Sequence, residues 1–274
     1  MKNSHTIIKT GAIILAVFLI AGIVIGVIQL MSLVIPISNT DYTGEVTEYS
    51  ISDNVKVLHI DVNMINVEII RSSNSAFGFK TNYKKLKHSE KEDTLFIKND
   101  KPKFLNINLN MRAVAFIKIY VPENFVLEKL EIDIGVGKLD LSDIKTKVLD
   151  IDSGVQSVML RNILASEETI INGGVGNLDI NNCEFHSLKL DSGIGAIEFN
   201  GKLFGRNKLD FGIGSAQLRL KGSSNDYEMS IDKGLGSISI DGKKVRDGEI
   251  LGNGKEKIFI DGGIGSIKIN FTGQ

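Results

Sequence analysis

The segment LEIDIGVGKLDL at residues 130–141 contains the pattern from which the fold is predicted, and LKLDSGIGAIEF at residues 188–199 repeats it. In both segments aliphatic and polar residues alternate, an Asp is followed two places later by Gly, and the alternation then resumes. Alternation with period two on both sides of a turn is typical of two short β-strands that each bury one face. The pattern therefore predicts a unit of two strands joined by an Asp-x-Gly turn.

This unit occurs seven times between Leu130 and Asn270, and its polar anchor residues are spaced by 19, 20, 19, 19, 22 and 29 residues. The anchors are Asp133, Asp152, Asn172, Asp191, Asp210, Asp232 and Asp261. A repeat near 20 residues is typical of a solenoid, because one unit buries too few side chains to offset the entropy of ordering it. We therefore predict an all-β chain that forms a β-solenoid of roughly 20-residue, two-strand coils.

Four aliphatic columns of the stacked units are predicted to face the core. The column that follows the first glycine of each turn consists of Val136, Val155, Val175, Ile194, Ile213, Leu235 and Ile264. Branched aliphatic residues suit a pleated surface that is buried on one side.

The first glycine of the turn is present in all seven units, at Gly135, Gly154, Gly174, Gly193, Gly212, Gly234 and Gly263. A degenerate upstream copy at residues 60–69 has Asn63 in this position and Ile65 in place of the second glycine. Asn adopts positive φ more readily than a β-branched residue does. We therefore predict that the first glycine is left-handed and that the second is required for close packing between coils.

The anchor carboxylates would form a ladder, because neighbouring coils in a stack lie about 4.8 Å apart. Like charges at this distance repel, so each carboxylate needs a compensating partner. One interpretation is that each anchor caps its own turn by accepting a backbone N–H. The other is a calcium site, although one carboxylate per coil supplies few of the six to eight oxygens that calcium requires.

The stretch between Lys9 and Asp41 has no charged residue and exceeds the roughly 20 residues that cross a bilayer. Its apolar part is too long for a cleaved secretory signal, which is the alternative. We predict a cytoplasmic N-terminus at residues 1–10 and a single transmembrane anchor at residues 11–36, in contact with the lipid bilayer. Lys2 and Lys9 precede the span, which places the β domain outside the cytoplasm.

The remaining chain divides into an irregular β prelude at residues 41–128, continuous with the solenoid, and the regular repeats at residues 129–274. Candidate strands of the prelude lie at residues 45–51, 55–61, 66–71, 77–83, 94–98, 106–110 and 115–121. The polar stretch at residues 84–93 is predicted to be a hairpin tip. Its lysines, Lys84, Lys85, Lys87 and Lys91, are candidates for contact with an anionic polymer or lipid headgroups.

Composition argues against several classes of function. The chain has 32 basic and 33 acidic residues, so there is no basic field for nucleic acid. One cysteine, Cys183, excludes an intramolecular disulfide, and the four histidines are too far apart in sequence for a metal motif. No cofactor, metal or catalytic residue is predicted. The alternative, an enzyme acting on envelope polysaccharide, requires a carboxylate pair in a groove outside the repeat columns.

An uncharged N-terminal segment, the segment Val121-Pro122-Glu123 and the tandem Asp-x-Gly-aliphatic-Gly coils together resemble the "putative adhesin" family of bacterial β-strand-repeat envelope proteins. The resemblance covers about Glu45 to Asn270. It implies an extracytoplasmic β-solenoid with no established enzymatic activity, often encoded near envelope-stress regulators in Gram-positive bacteria. It supplies no functional residues. We therefore predict a non-catalytic, membrane-anchored interaction module, an adhesin or an envelope-stress-related protein, with an envelope polymer or a membrane protein as partner.

The last coil, residues 258–270, is predicted to form the free end of the stack. An exposed end of a solenoid is usually covered or used for association. The polar insertion at residues 243–257 is one candidate cover, and a second chain is the other. We therefore expect weak self-association.

Overall fold

The computed structural model describes residues 44–73, 76–100 and 115–273, which form β-strands and one short 3-10 helix at Ser224–Asp226. The predicted segments at residues 1–10 and 11–36 and the predicted strand at residues 106–110 lie outside the described residues. Within the described ranges, no helix is both long and apolar enough to cross a membrane. The prediction of an all-β domain is confirmed.

The strands fall into three groups along the chain. The first group contains β1 (Thr47–Ser50), β2 (Val57–Val62), β3 (Asn66–Arg71), β4 (Gly78–Thr81), β5 (Lys87–Lys91), β6 (Thr94–Lys98) and β7 (Phe116–Val121). The second contains five long strands, β8 (Leu127–Ser142), β9 (Lys145–Arg161), β10 (Leu164–His186), β11 (Leu188–Phe204) and β12 (Arg206–Leu220). The third contains β13 (Tyr227–Asp232), β14 (Leu235–Ile240), β15 (Lys243–Lys244), β16 (Ile250–Gly252), β17 (Glu256–Asp261) and β18 (Ile264–Phe271).

Strands β8 to β12 stack in parallel, and each pairs with the next in the register that the repeat predicts. Asp133 pairs with Asp152, and Asn172 pairs with Asp191. Equivalent side chains of successive coils therefore lie above one another, because register fixes which face each residue occupies. The predicted solenoid repeat is confirmed.

Each coil differs from the predicted pair of short strands. From Leu127 to Leu220 every coil is a continuous strand of 15 to 23 residues that passes through the Asp-x-Gly position. The chain changes direction about ten residues later, at Asp143 (φ 61°), Asn162 (φ 54°) and Asn182 (φ 55°). Asp and Asn tolerate this left-handed conformation better than most residues. After this corner, a further segment of the coil leads to the Asp-x-Gly position of the next coil.

The left-handed Asp and Asn residues also bond to one another from coil to coil. Asn162 Nδ2 donates to Asp143 Oδ1 at 2.8 Å, and Asn182 Nδ2 donates to Asn162 Oδ1 at 2.6 Å. Lys221 Nζ donates to Asn182 Oδ1 at the end of this row. The row links the corners of neighbouring coils through side-chain hydrogen bonds.

The order of the coils at the C-terminal end corrects the sequence prediction. Strands β17 and β18 pair with β12 on one side and with β13 and β14 on the other. The last coil in the sequence is therefore inside the stack, and the coil formed by β13 and β14 is its end. The insertion does cover an end, because β16 pairs with β13 and β15 pairs with β14, both antiparallel. The expected self-association stays a prediction.

A similar arrangement closes the other end. Strands β2 and β3 pair with β8 on one side, and on the other β2 pairs with β6 and β3 with β7. Antiparallel strands β5, paired with β6, and β4, paired with β7, then cover this outer coil, and β1 pairs with β4. The edge strand β5 is fully exposed and charged, which disfavours further strand pairing.

The core consists of the inward columns of the stacked coils, of which Ile132, Leu139 and Leu141 are examples with at most 1% exposure. The column that follows the first turn glycine is different. Six of its seven members, the first of which is Val136 and the last Ile264, are only partly buried, and the seventh, Leu235, is 58% exposed. The prediction that this column belongs to the core is therefore wrong. The turn that carries it lies at the edge of each coil, where one side of the residue remains open to solvent.

One buried hydroxyl in the core lacks a hydrogen bond. Thr169 is fully buried between Leu149 and Leu188, and its Oγ1 has no partner. An unsatisfied buried group costs about 1–3 kcal/mol. We expect Thr169→Val, which keeps the shape, to raise the free energy of unfolding of residues 44–274 by about 1 kcal/mol, measured by denaturant titration.

Thr146 provides the matched control. It is also fully buried, but its Oγ1 donates to the Val148 carbonyl at 2.8 Å. Thr146→Val should therefore lower the free energy of unfolding by about 1 kcal/mol. A stabilising Thr146→Val or a destabilising Thr169→Val would contradict this assignment.

Candidate functional site: an acidic ladder and a terminal groove

The stack brings the anchor residues into one continuous ladder. Its order is Asp61, Asp133, Asp152, Asn172, Asp191, Asp210, Asp261 and Asp232, and each member is directly paired with the next. The ladder includes Asp61 of the degenerate copy, and Lys98 is paired with Asp61 beyond it. Successive coils in such a sheet lie about 4.8 Å apart, so the ladder is an extended acidic stripe.

The capping prediction applies to only part of the ladder. Asp232 Oδ1 accepts the N–H of Gly234 at 3.3 Å, and Asp261 Oδ1 accepts the N–H of Gly263 at 3.5 Å. In these two coils the strand is interrupted at the turn, which frees the N–H for a side chain. Asp133 also has an interaction partner.

The other anchors do not cap their own turns. In the described chain, no turn N–H bonds to the side chains of Asp152, Asn172, Asp191 or Asp210. Strands β9 to β12 continue through the turn, but the first glycine of each turn is left out of the strand pairing, and the Gly212 N–H donates instead to Ser192 Oγ of the neighbouring coil at 3.4 Å. Asp210 is compensated by Lys208, whose Nζ lies 2.6 Å from Asp210 Oδ2. This hydrogen bond and the carboxylate charge raise the pKa of the Lys208 ammonium.

The prediction of a left-handed first glycine is wrong for five of the seven units. Only Gly234 (φ 61°) and Gly263 (φ 52°) are left-handed, while the other five do not lie in that region. These five are Gly135, Gly154, Gly174, Gly193 and Gly212. Where the strand continues through the turn, the chain has no reversal at this position that would require positive φ.

Positive φ occurs instead at the second glycine in most of the coils. Gly137, Gly176, Gly195, Gly214 and Gly265 have φ between 149° and 156°. A Cβ at Gly195 would overlap the carbonyl oxygen of Gly176 in the neighbouring coil. A Cβ at the first glycine, for example Gly193, would overlap the carbonyl oxygen of Gly174. Close packing between coils therefore requires glycine at both positions. At the second position the positive φ is a further reason for glycine.

The four lysines considered as contacts for an anionic polymer lie together at the β5 end of the stack. Lys87 and Lys91 belong to the edge strand β5, and not to a hairpin tip as predicted. Lys87 Nζ is 2.6 Å from Asp100 Oδ1, and residues 84–93 also contain three acidic residues. Acidic neighbours therefore dilute the positive charge of Lys84, Lys85, Lys87 and Lys91, whose contact with a polymer stays a prediction.

Cys183 is a buried structural residue. Its Sγ lies 3.4 Å from the Ile163 backbone N–H and from the Asn181 carbonyl. Burial raises the pKa of the thiol to about 11. The thiol therefore stays protonated at neutral pH, which makes it a poor nucleophile and a poor metal ligand.

The C-terminal end of the stack contains a groove of about 410 Å³. Asp247 and Gly248 of the insertion form one wall, and Gly248 N–H donates to the Ile231 carbonyl at 3.0 Å. Lys208 and Phe259 line it together with the last three members of the ladder, Asp210, Asp261 and Asp232. Volumes of about 300–1,000 Å³ are typical of sites for small molecules.

Sequence reasoning found the ladder members of this groove and missed Lys208, Asp247 and Phe259. The 29-residue spacing between Asp232 and Asp261 predicted that an insertion is present, but it did not predict which coil the insertion covers. Among the described residues no three His, Cys, Asp or Glu side chains converge as metal ligands. Of the carboxylates that line the groove, Asp247 lies outside the repeat columns, while Asp210, Asp261 and Asp232 belong to the ladder.

Residues 55–253 match the protein family described as Toastrack DUF4097. No curated protein matches the chain. A solved "putative cell adhesion protein" from Clostridium sporogenes is 16% identical, with a TM-score of 0.39, over 83% of this chain and 99% of that one. A "putative adhesin" from Bacteroides fragilis is 18% identical, with a TM-score of 0.35, over 82% and 96%.

A "putative adhesin" from Parabacteroides merdae is 14% identical, with a TM-score of 0.38, over 83% of this chain and 95% of that one. The family match includes the prelude from Val55 onward and extends through the coils to Asn253. It therefore confirms the family resemblance drawn from the Val121-Pro122-Glu123 segment and the repeated turns. Because the match covers well over half of its length, this chain belongs to the Toastrack DUF4097 family, a family of unknown function.

Proposed function

We propose that this chain is a non-catalytic interaction module of the cell envelope, anchored in the cell membrane by residues 11–36 and presenting its β-solenoid outside the cytoplasm. The family resemblance suggests that the module acts as an adhesin or as a component of an envelope-stress response. The partner is an envelope polymer or a membrane protein, and no cofactor is required.

The observation that carries this proposal is the regularity of the outward surface. The ladder runs in register from Asp61 to Asp232, so an Asp, or Asn172 in one coil, is presented at each coil. Both ends of the stack are covered by short or charged antiparallel strands, such as β5 and β15. Covered edges resist strand addition, which leaves the sides of the solenoid as the surfaces available for binding.

Membrane anchoring is tested by topology. With the N-terminus inside, protease added to intact protoplasts should degrade residues 41–274 and leave a fragment that contains residues 11–36. The reason is that a single span with Lys2 and Lys9 before it directs the chain that follows outward. Immunoblots against tags at each end measure this outcome.

A cytoplasmic protein of known location serves as the control for protoplast integrity. A β domain that resists protease until the protoplasts are lysed would contradict the orientation. A mature chain that begins beyond residue 30 would contradict the anchor.

A further inference from the structure

Six times in this chain an Asp or Asn directly precedes a glycine, and such pairs are prone to succinimide formation. The backbone nitrogen of the glycine attacks the side-chain carbonyl carbon of the preceding residue, and glycine has no Cβ to hinder this approach. The pairs are Asn172-Gly173, Asn200-Gly201, Asp241-Gly242, Asp247-Gly248, Asn253-Gly254 and Asp261-Gly262. A glycine whose N–H is held in a hydrogen bond is not free to attack, so the fold decides which pair reacts.

Five of the six glycines are restrained by the fold. Gly173 and Gly201 lie inside β10 and β11, each of which pairs with a neighbouring coil on both sides. The other three donate their N–H to a backbone carbonyl at 2.8 to 3.1 Å, Gly248 to Ile231, Gly254 to Tyr227 and Gly262 to Asp232. In these five pairs the attacking nitrogen would first have to leave the sheet or its hydrogen bond.

Gly242 is different, because it lies in the two-residue loop between β14 and β15, which pair at Ile240 and Lys243. Asp241 (φ 46°) and Gly242 (φ 76°) both have positive φ, as a type I′ hairpin requires. Within the described chain the Gly242 N–H has no hydrogen-bond partner, and a Cβ at Gly242 would meet no heavy atom within 4 Å. Its nitrogen is therefore open to solvent beside the Asp241 carboxyl group.

The Asp241 carboxyl group is held by the neighbouring coil. Its Oδ1 accepts the Phe271 N–H at 3.1 Å, and the Asp241 N–H donates to the Ile269 carbonyl at 2.9 Å. A donor on Oδ1 stabilises the negative charge that develops on this oxygen when the side-chain carbon is attacked. The loop thus combines a free glycine nitrogen with a fixed carboxyl group.

We propose that Asp241-Gly242 is a site of spontaneous isoaspartate formation. The Gly242 nitrogen forms a bond to Asp241 Cγ, and its proton leaves with the Oδ2 hydroxyl group as water, which closes a succinimide ring. Water then adds to the main-chain carbonyl carbon of Asp241 and breaks its bond to the Gly242 nitrogen, which takes up a proton. The main chain now runs through Cβ and Cγ. One water leaves and one returns, so no oxidant or reductant takes part.

The modification acts on the cover of the C-terminal end of the stack. β15 pairs with β14 at only two positions, and beside them the Val245 N–H donates to the Ile238 carbonyl at 3.0 Å. Isoaspartate adds one carbon to the main chain inside a loop whose length fixes this pairing. It also removes the side-chain carboxylate that accepts the Phe271 N–H. The hairpin therefore opens, and the edge of β14 that β15 covers is exposed to pairing with another strand.

The test follows isoaspartate during storage of the full chain in detergent micelles at neutral pH. Methyl transfer from S-adenosylmethionine by an isoaspartate methyltransferase measures the total, and peptide mass spectrometry gives the position. We expect at least about tenfold more isoaspartate at Asp241 than at Asp247 or Asp261, because the glycine N–H at those two sites must first leave its hydrogen bond. In denaturant the three sites should react at similar rates. Equal or slower conversion at Asp241 in the folded chain would overturn the proposal.

A loop variant separates the chemistry from the fold. Gly242→Asn keeps the turn, because Asn tolerates positive φ and the space around the position is open. Its Cβ hinders attack by the nitrogen, so isoaspartate at Asp241 should fall at least about tenfold. Circular dichroism should show that the variant is folded. Unchanged conversion at Asp241 in this variant would refute Gly242 as the attacking residue.

Hydrogen exchange measures the effect on the cover. In the stored chain the Val245 and Phe271 amides should lose protection, while the Gly248 amide, which donates to the Ile231 carbonyl, should keep it. Stored Gly242→Asn should keep all three amides protected. A chain with isoaspartate at Asp241 that keeps the Val245 and Phe271 amides protected would contradict the opening of the hairpin. Neither measurement depends on membrane topology, so the proposed function and this inference can fail separately.

Discussion

Replacing Gly195 by alanine should destabilise the solenoid by at least about 3 kcal/mol, from backbone strain together with steric overlap. Gly195 has φ 156°, a conformation that residues with a Cβ rarely adopt. A Cβ at this position would also overlap the carbonyl oxygen of Gly176 in the next coil. Relief of this overlap requires a shift of the backbone where Gly195 pairs with Gly176 in the register of β10 and β11. Denaturant titration of residues 44–274 measures the loss.

Gly173→Ala is the matched control at the same turn of the neighbouring coil. The nearest atom to its added Cβ is the Asp191 carbonyl oxygen at 3.7 Å, an ordinary contact, and its φ is not in the left-handed region. We expect it to change the free energy of unfolding by less than about 1 kcal/mol, in the stabilising direction, because alanine restricts the unfolded chain. Similar costs for the two substitutions would show that the turn has room for a side chain.

The conformation of this turn was predicted incorrectly because the degenerate copy was an unsuitable guide. Its left-handed residue is Met64 (φ 61°), which lies between the two glycine positions. Asn63 contributes differently: its N–H and carbonyl bond to the side chain of Asn99, both at 2.8 Å. Both bonds are made by the backbone of Asn63, and its side-chain Oδ1 is buried without a hydrogen-bond partner, so the Asn at this position was no evidence for positive φ.

The sequence did predict the coils and their register. The in-register pairing of Asp133 with Asp152, and of Ile132 with Ile151, follows from periodicity, since a shift by one residue would expose an entire inward column. The order of coils could not be predicted in the same way. Spacing gives the length of each coil, but a coil joined by a long connection can stack on either side of its predecessor.

The groove was beyond prediction for the same reason. Asp210 and Asp261 are 51 residues apart, and they become neighbours only because β17 returns to pair with β12. Lys208 and Phe259 then face the same groove as Asp247. A repeat pattern carries information about equivalent residues within units, and none about an insertion that folds over them.

Ending the chain after Asn253 should remove an interior coil and unfold the C-terminal part of the stack. This coil buries four isoleucine side chains that are each at most 3% exposed, Ile258, Ile260, Ile267 and Ile269. Burial of such side chains contributes about 1.5–3 kcal/mol each, or about 6–12 kcal/mol together, which is comparable to the whole stability of a domain. The thermal midpoint should fall by more than about 12 °C.

The position of the loss distinguishes an interior coil from a terminal one. Because β18 lies between β12 and β14, its removal should leave those amides of the two strands that bond to β18 unprotected against hydrogen exchange, while the β12 amides that bond to β11 stay protected. Deletion of residues 273–274 alone is the control; it removes the bond from Gly273 N–H to the Gly222 carbonyl, worth about 1 kcal/mol. A chain ending at Asn253 that keeps β13 and β14 protected would place β17 and β18 at the outside, as the sequence alone had suggested.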